Sequence, residues 1–323
     1  MPVFRYFIQP RHSSFQQGEN MTSQALKGKT IGFIDLGLMG QAFTKNLIQD
    51  GYTVFGTDPI PAARRKFKKI GGAPLSSPRL VAEESDILFI SVPNSKISLL
   101  TARGKEGYLA FAPGRSPEVV IDTTTADSDD SRKHALLCKK EKVPYLDGCV
   151  SGNSGYVAER EGLFLVGGDK KAYQKVEPLL GEMLSDQIYC GPSGAGAELK
   201  ATVNYLTTMG RCVISEILRV GLRCGFKKDF LLDALMRSRV GGWAQFRTQA
   251  PDMVHEKFSN PMSTLDVQMK DIQLGVKLAS RVGAVSPVGK ACIPLYREGI
   301  RAGYGDLDGI SVYKAYLDRE KNS

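Results

Sequence analysis

The sequence predicts an α/β fold: a doubly wound parallel sheet followed by an all-α C-terminal domain, the two joined by one long helix. Three observations predict it. Between residues 29 and 166, short apolar runs alternate with helical stretches, as expected of strands covered on both faces of a parallel sheet. The first run ends in a glycine-bearing turn that leads directly into a helix. Beyond a Gly-Pro-Ser-Gly turn at 191–194 the apolar period becomes helical. Residues 29–192 are therefore expected to form a dinucleotide-binding domain and 193–323 a helical one, and 323 residues suit two domains.

Residues 1–28 carry no periodicity and read as a disordered N-terminal extension. Arg5 and Arg11 precede the first acidic residue, Glu19, as in a mitochondrial presequence, but Ser is sparse and no amphipathic helix is evident. Cytoplasmic placement is the expectation, with a mitochondrial one if this extension is a presequence.

Residues 29–40 read as a strand and turn, 41–50 as a helix, and 52–57 as a second strand ending at Asp58. An acidic residue about 20 positions beyond such a turn completes the context of a Rossmann-type dinucleotide fingerprint. The pattern calls for three glycines, and this chain has Asp35-x-Gly37-x-x-Gly40, with Leu38 and Met39 in the turn. Gly37 permits close approach of the backbone to a pyrophosphate, and Gly40 permits packing of helix on strand. Asp35 places a carboxylate where the helix N-terminus would attract that pyrophosphate. Asp58 is placed to accept a hydrogen bond from an adenosine ribose 2′-hydroxyl, which favours NAD over NADP.

Residues 86–92 and 119–125 read as further buried strands. Val92, Pro93 and Thr125 fall at their C-terminal ends, where ligands bind in such sheets. Residues 145–147 and 163–166 add later strands. The stretch between them, 148–155, reads as a Gly- and Ser-rich loop in which Ser151, Gly152 and Asn153 offer N–H and polar side-chain groups to a carboxylate.

The long helix opens at Gly194 and runs to about 224. Lys200 and Asn204 are one turn apart on a single face, an arrangement suited to a proton donor and a neighbour that orients substrate. Val203, Leu206, Val213 and Ile217 take the other, apolar side. Helices are expected at 228–238, 262–278 and 286–301, with a loop at Gly241, Gly242 and Trp243, a turn at 304–308 and a frayed end.

Composition narrows the partners. No apolar run of 18 residues is present, so no membrane span is expected. The six cysteines form no CxxC pair and have no histidine at metal spacing, which predicts reduced thiols and no metal site. Lys and Arg outnumber Asp and Glu by 43 to 34, yet they are scattered, and the basic run at 64–69 reads as a solvated helix face. A positive field of this kind suits an anionic small molecule rather than nucleic acid.

Four separated motifs then agree. Residues 31–40 carry the opening fingerprint, apart from Asp35; Asp147-Gly-Cys-Val-Ser151-Gly152 gives Asp-x-x-Val-Ser-Gly; residues 194–204 give Gly-x-Gly-x-x-x-Lys-x-x-x-Asn; and Lys270-Asp271 supplies a late pair. In this order they resemble the β-hydroxyacid dehydrogenases, the group of 3-hydroxyisobutyrate dehydrogenase and tartronate semialdehyde reductase, from about residue 29 to about 317. The resemblance implies hydride transfer between NAD and a short hydroxyacid, with Lys200 as general acid or base and Asn204 orienting it. It implies that Ser151 and Gly152 hold the substrate carboxylate and that Asn153 and the Trp243 loop add contacts. Cofactor contacts are implied from Gly37, Leu38, Met39, Val92, Pro93, Thr125 and Lys270, and a homodimer or homotetramer built through the helical domain. Departures from the family pattern are Asp35, the missing proline after Thr125, and Ile97 where relatives place a cofactor-contacting asparagine. Two other readings use the same residues: a member that has lost cofactor affinity through Asp35 and serves as a scaffold, and an enzyme of the related imine-reducing group.

Overall fold

The computed structural model describes Leu26 and residues 28–238 and 242–321. Most of the expected N-terminal extension, and Gly241 of the glycine loop, lie outside the described residues.

One eight-stranded sheet organises the first domain. Strands β1 (Thr30–Ile34), β2 (Thr53–Thr57), β3 (Ala73–Pro74), β4 (Ile87–Ile90), β5 (Val119–Asp122) and β6 (Tyr145–Ser151) run parallel, in the order β3-β2-β1-β4-β5-β6. The strands β7 (Leu163–Gly168) and β8 (Asp186–Gly191) extend the sheet beyond β6, with β7 antiparallel to β6 and parallel to β8. The central strands are buried on both faces, which is why they read as unbroken apolar runs. Along β4 the pleat sends Ile87 and Phe89 into one core and Leu88 and Ile90 into the other.

Among the described residues, seven helices cover the sheet: α1 (Leu38–Gln49), α2 (Pro61–Lys69), α3 (Pro78–Glu83), α4 (Ser95–Thr101), α5 (Ser128–Lys140), α6 (Ser154–Ala158) and α7 (Lys170–Met183). The expected loop at 148–155 is corrected here. Residues 148–151 continue β6 in a ladder with β7, paired from Gly148 with Val166 to Ser151 with Leu163, because Cys149 and Val150 are core residues. Asn153 then caps α6 by accepting from the N–H groups of Gly155 and Tyr156.

The second domain is built on α8 (Ala195–Arg223), packed by α9 (Lys228–Arg237), α10 (Ala244–Val254), α11 (Leu265–Arg281), α12 (Pro287–Gly299) and α13 (Val312–Lys321). Two of these are additions to the sequence reading: α10 follows the loop expected at 241–243, in a stretch given no element, and α13 occupies the end expected to be frayed. The 29 residues of α8 make a rod of about 43 Å. Its start is bolted to the sheet: Asp147 on β6 accepts from Gly194 N at 2.8 Å and from Ala197 N at 2.9 Å. Arg132 on α5 and Arg281 on α11 both reach Glu198, tying the two domains together at the same end of the helix.

The two sides of α8 separate as expected, except at Val203, and the apolar one faces water. Lys200, Thr208, Arg211 and Ser215 are buried with Ala201, Cys212 and Leu218, whereas Leu206, Val213 and Ile217 are exposed and Val203 borders a cleft. Lys200 and Arg211 line the cleft between the domains, whereas Thr208 bonds back to the carbonyl of Asn204 and Ser215 faces Met253 in the helical core.

Candidate active site

A cleft of about 1030 Å³ runs from the C-terminal ends of β1, β4 and β5 to the inner face of the helical domain. Gly37, Leu38, Met39, Val92, Pro93, Thr125, Ser151, Gly152, Asn153, Lys200, Asn204 and Lys270 all line it. The chain brings them together from six elements because parallel strands deliver their C-terminal ends to one edge and α8 crosses that edge.

At the sheet end, α1 starts from Gly37 with no side-chain cap and no acidic residue in its first turn, so N–H groups point toward the cleft. Gly40 lies beneath: a Cβ there would stand 2.3 Å from the carbonyl oxygen of Asp35, so only glycine lets the helix pack this closely. These features fit a dinucleotide pyrophosphate, with one departure. Asp35 adopts φ 79°, and its Oδ1 accepts from Gly37 N at 2.7 Å. Burial raises its carboxyl above the usual carboxylate range, against the pull of that hydrogen bond.

Asp58 lies outside the cleft lining and is 4% exposed. One carboxylate oxygen accepts from Leu36 N at 2.8 Å and the other from Ile60 N at 2.7 Å, so the side chain clamps the glycine turn to the end of β2. Val92 N donates to Thr124 Oγ1, joining the ends of β4 and β5.

At the reacting end, Lys200 is 7% exposed, yet it makes no hydrogen bond or ion pair among the described residues. Burial holds its ammonium pKa below the ordinary lysine range, and the nearby Asp271 carboxylate opposes the shift. Asn204 Nδ2 donates to Asp271 Oδ2 at 2.7 Å, which fixes the amide. Lys270 lies 3.5 Å from Asp271 Oδ1 and donates to the Pro93 carbonyl at 3.5 Å, crossing from the helical domain to the sheet. Among the described residues, the hydroxyl of Ser151 at the end of β6 has no partner. Asn153 spends its carbonyl on capping α6, and its amide faces Met262 Sδ at 3.2 Å.

Trp243 requires correction. It is not part of the cleft lining; its indole covers Gly210, where a Cβ would stand 2.7 Å from the ring. The residue stands just before a helix of the second domain and packs on a buried glycine of α8 instead of in the site. Asp271, Arg211 and Gln268 reach the cleft without having been predicted to. Of these only Asp271 had a signal in the sequence, its place in the Lys-Asp pair.

Comparison with known proteins follows this geometry. A family model described as the NAD binding domain of 6-phosphogluconate dehydrogenase matches residues 30–191, and one described as NAD-binding of NADP-dependent 3-hydroxyisobutyrate dehydrogenase matches 194–316. The chain is 29% identical to mitochondrial 3-hydroxyisobutyrate dehydrogenase of Rattus norvegicus over 305 residues, covering 93% of this chain and 90% of that one. It is 25% identical to 2-(hydroxymethyl)glutarate dehydrogenase of Eubacterium barkeri over 290 residues, covering 90% and 95%. The solved structure of Mycobacterium tuberculosis 3-hydroxyisobutyrate dehydrogenase with L-serine superposes with a TM-score of 0.78 at 26% identity, covering 89% of this chain and 99% of that one. With both domains matched in order and a cleft of this construction between them, the chain belongs to the β-hydroxyacid dehydrogenase family, NAD(P)-dependent hydroxyacid dehydrogenases.

Proposed function

We propose that this chain interconverts a β-hydroxyacid and the corresponding aldehyde or ketone, with Lys200 as the general acid–base and NAD preferred to NADP. The observation that carries the reading is the buried, unpaired ammonium of Lys200 at the meeting point of the two halves of the cleft. Gly37, Leu38, Met39, Val92, Pro93, Thr125 and Lys270 would hold the dinucleotide, which supplies hydride in one direction and accepts it in the other. Ser151 and Gly152 would hold the substrate carboxylate, and Asn204, fixed by Asp271, would present its carbonyl face to Lys200 and the substrate.

Lys200 then handles the proton. In the reducing direction its ammonium stabilises the negative charge growing on the carbonyl oxygen and donates the proton. In the oxidising direction the neutral amine accepts the hydroxyl proton. Because burial lowers the pKa of Lys200, the neutral form is reached at a lower pH than for a free lysine. Oxidation should therefore rise, and reduction fall, as pH increases through that lowered value. The preference for NAD rests on the absence of a basic residue at positions 59–61 and on Arg64 being engaged by the carbonyl of Asp58; the Asp58 carboxylate, expected to read the ribose, is buried outside the cleft and spent on Leu36 N and Ile60 N.

The test is Lys200→Ala. Turnover in both directions should fall by about 10²–10⁴ or more, while NADH titration by nicotinamide fluorescence stays unchanged and tighter than NADPH. Near-normal turnover would remove Lys200 from the chemistry. A homodimer or larger homo-oligomer is part of the same reading, supported by the apolar outer side of α8.

A further inference from the structure

Arg211 has no task in the reaction as proposed, although it lies in the cleft. It is on α8 eleven residues beyond Lys200, three turns along the same inward polar stripe, and is 7% exposed. Its Nη1 donates to Gln268 Oε1 on α11. Gln268 is held as an acceptor because its own amide donates to Ser263 Oγ at 2.7 Å. Among the described residues no carboxylate pairs with the guanidinium, and its Nε has no partner. Of the four acids lining the cleft, Asp35 accepts from Gly37 N in the glycine turn, Asp308 accepts from Met262 N and Ile310 N, Asp271 is taken by Asn204 and Lys270, and Asp252 makes no ion pair. A cation held this deeply costs several kcal/mol unless an anion joins it.

We propose that Arg211 receives a second carboxylate at the end of the substrate remote from the reacting carbon, so that the preferred substrate is a dicarboxylic hydroxyacid. This rests on the hydroxyacid reading above and adds the substrate class. The rise of an α-helix places the Cα atoms of Lys200 and Arg211 about 16 Å apart, so a substrate at Lys200 meets Arg211 only through a group extended away from the reacting carbon, with the two long side chains spanning the rest. The guanidinium is a planar donor fork that matches a carboxylate and, unlike a lysine, keeps its charge when buried. Gln268 orients that fork without neutralising it.

The experiment compares two substrates that share the hydroxymethyl carboxylic acid unit and differ in the distal carboxylate: 2-(hydroxymethyl)glutarate and 3-hydroxyisobutyrate. With the full chain and saturating NAD, kcat/KM should favour the dicarboxylate at least tenfold. Arg211→Gln should abolish that preference by raising KM for the dicarboxylate alone, and Arg211→Lys should restore part of it. Equal kcat/KM for the two substrates in the native chain overturns the proposal. So does a parallel loss with both substrates in Arg211→Gln, which is the mark of a structural arginine. Binding of unreactive glutarate against butyrate to the NADH complex, read by calorimetry, separates the two layers. If neither substrate turns over but glutarate binds tenfold more tightly and only when Arg211 is present, the anion site stands and the hydroxyacid chemistry fails. If glutarate gains nothing over butyrate, the site itself fails.

Discussion

Asp35 is the residue expected to set cofactor affinity. A left-handed backbone is costly for most side chains but tolerable for Asp, whose short carboxylate can bond locally. Here it closes onto Gly37 N at 2.7 Å, at the positive end of α1. A pyrophosphate drawn to the same helix end meets a resident anion that already holds one N–H group and repels the newcomer. Asp35→Gly relieves the backbone, frees the N–H and removes the charge, so NADH should bind about tenfold or more tightly, the worth of one charge-assisted hydrogen bond. The pH dependence has a definite sign. The neutral carboxyl accepts the dinucleotide better than the anion does, and burial keeps the pKa of Asp35 above the usual carboxylate range. NADH affinity of the native chain should therefore rise as pH falls through that raised pKa, while Asp35→Gly stays flat. Calorimetric titration across mildly acidic to neutral pH reads both effects, and identical affinities for the two proteins would show that the carboxylate swings clear at no cost.

The element that decides the domain arrangement is the joint between β6 and α8, and it explains the spacing of two glycines. Gly194 sits at φ 94° and gives its N–H to Asp147, while Gly196 touches backbone: a Cβ there would stand 2.3 Å from Asp147 O and 2.4 Å from Leu165 O. Neither carbonyl can move without breaking the ladder between β6 and β7. Gly196→Ala should cost about 3 kcal/mol or more, read as a lower midpoint in chemical denaturation; an unchanged midpoint would mean that α8 shifts freely on the sheet. This joint shows how far the sequence could be read. Lys200, Asn204 and the glycines ahead of them stand within one helix, so their relation is local and legible from spacing. The bond from Asp147 to the start of that helix spans nearly fifty residues and leaves no periodic trace. Strand direction is equally non-local, and nothing within 163–168 says that β7 runs against β6. The helix α10 carries Pro251 in its interior and lacks a side-chain cap, so the usual start and stop signals are missing. Trp243 was misplaced for a related reason: an indole beside a glycine loop reads equally well as a cleft wall or as a lid on Gly210, and only packing decides.

On the scale of the whole molecule, the apolar side of α8 remains to be covered. Leu206 is 63% exposed and Val220 57% exposed, and Val213 and Ile217 between them are nearly half so; they recur at helical spacing along one stripe. Lys200 and Arg211 border the cleft and Ile214 and Leu218 pack into the helical core, yet this further hydrophobic stripe of α8 faces water. Stability alone does not maintain such a face, because a contiguous exposed apolar patch invites association. A second copy of the same chain, laying its own α8 against this stripe, would bury both faces at once in a two-fold arrangement. Sedimentation of the native chain at micromolar concentration should therefore give a dimer or a larger even-numbered assembly. Leu206→Glu combined with Val213→Glu should shift it to the monomer, because two carboxylates per chain would then meet their symmetry mates in a desolvated seam. The substitutions lie across the helix from Lys200, so NADH binding by the monomer should be preserved, which separates loss of pairing from loss of folding. A native chain that sediments as a monomer would leave the stripe uncovered and remove pairing through α8 from the account.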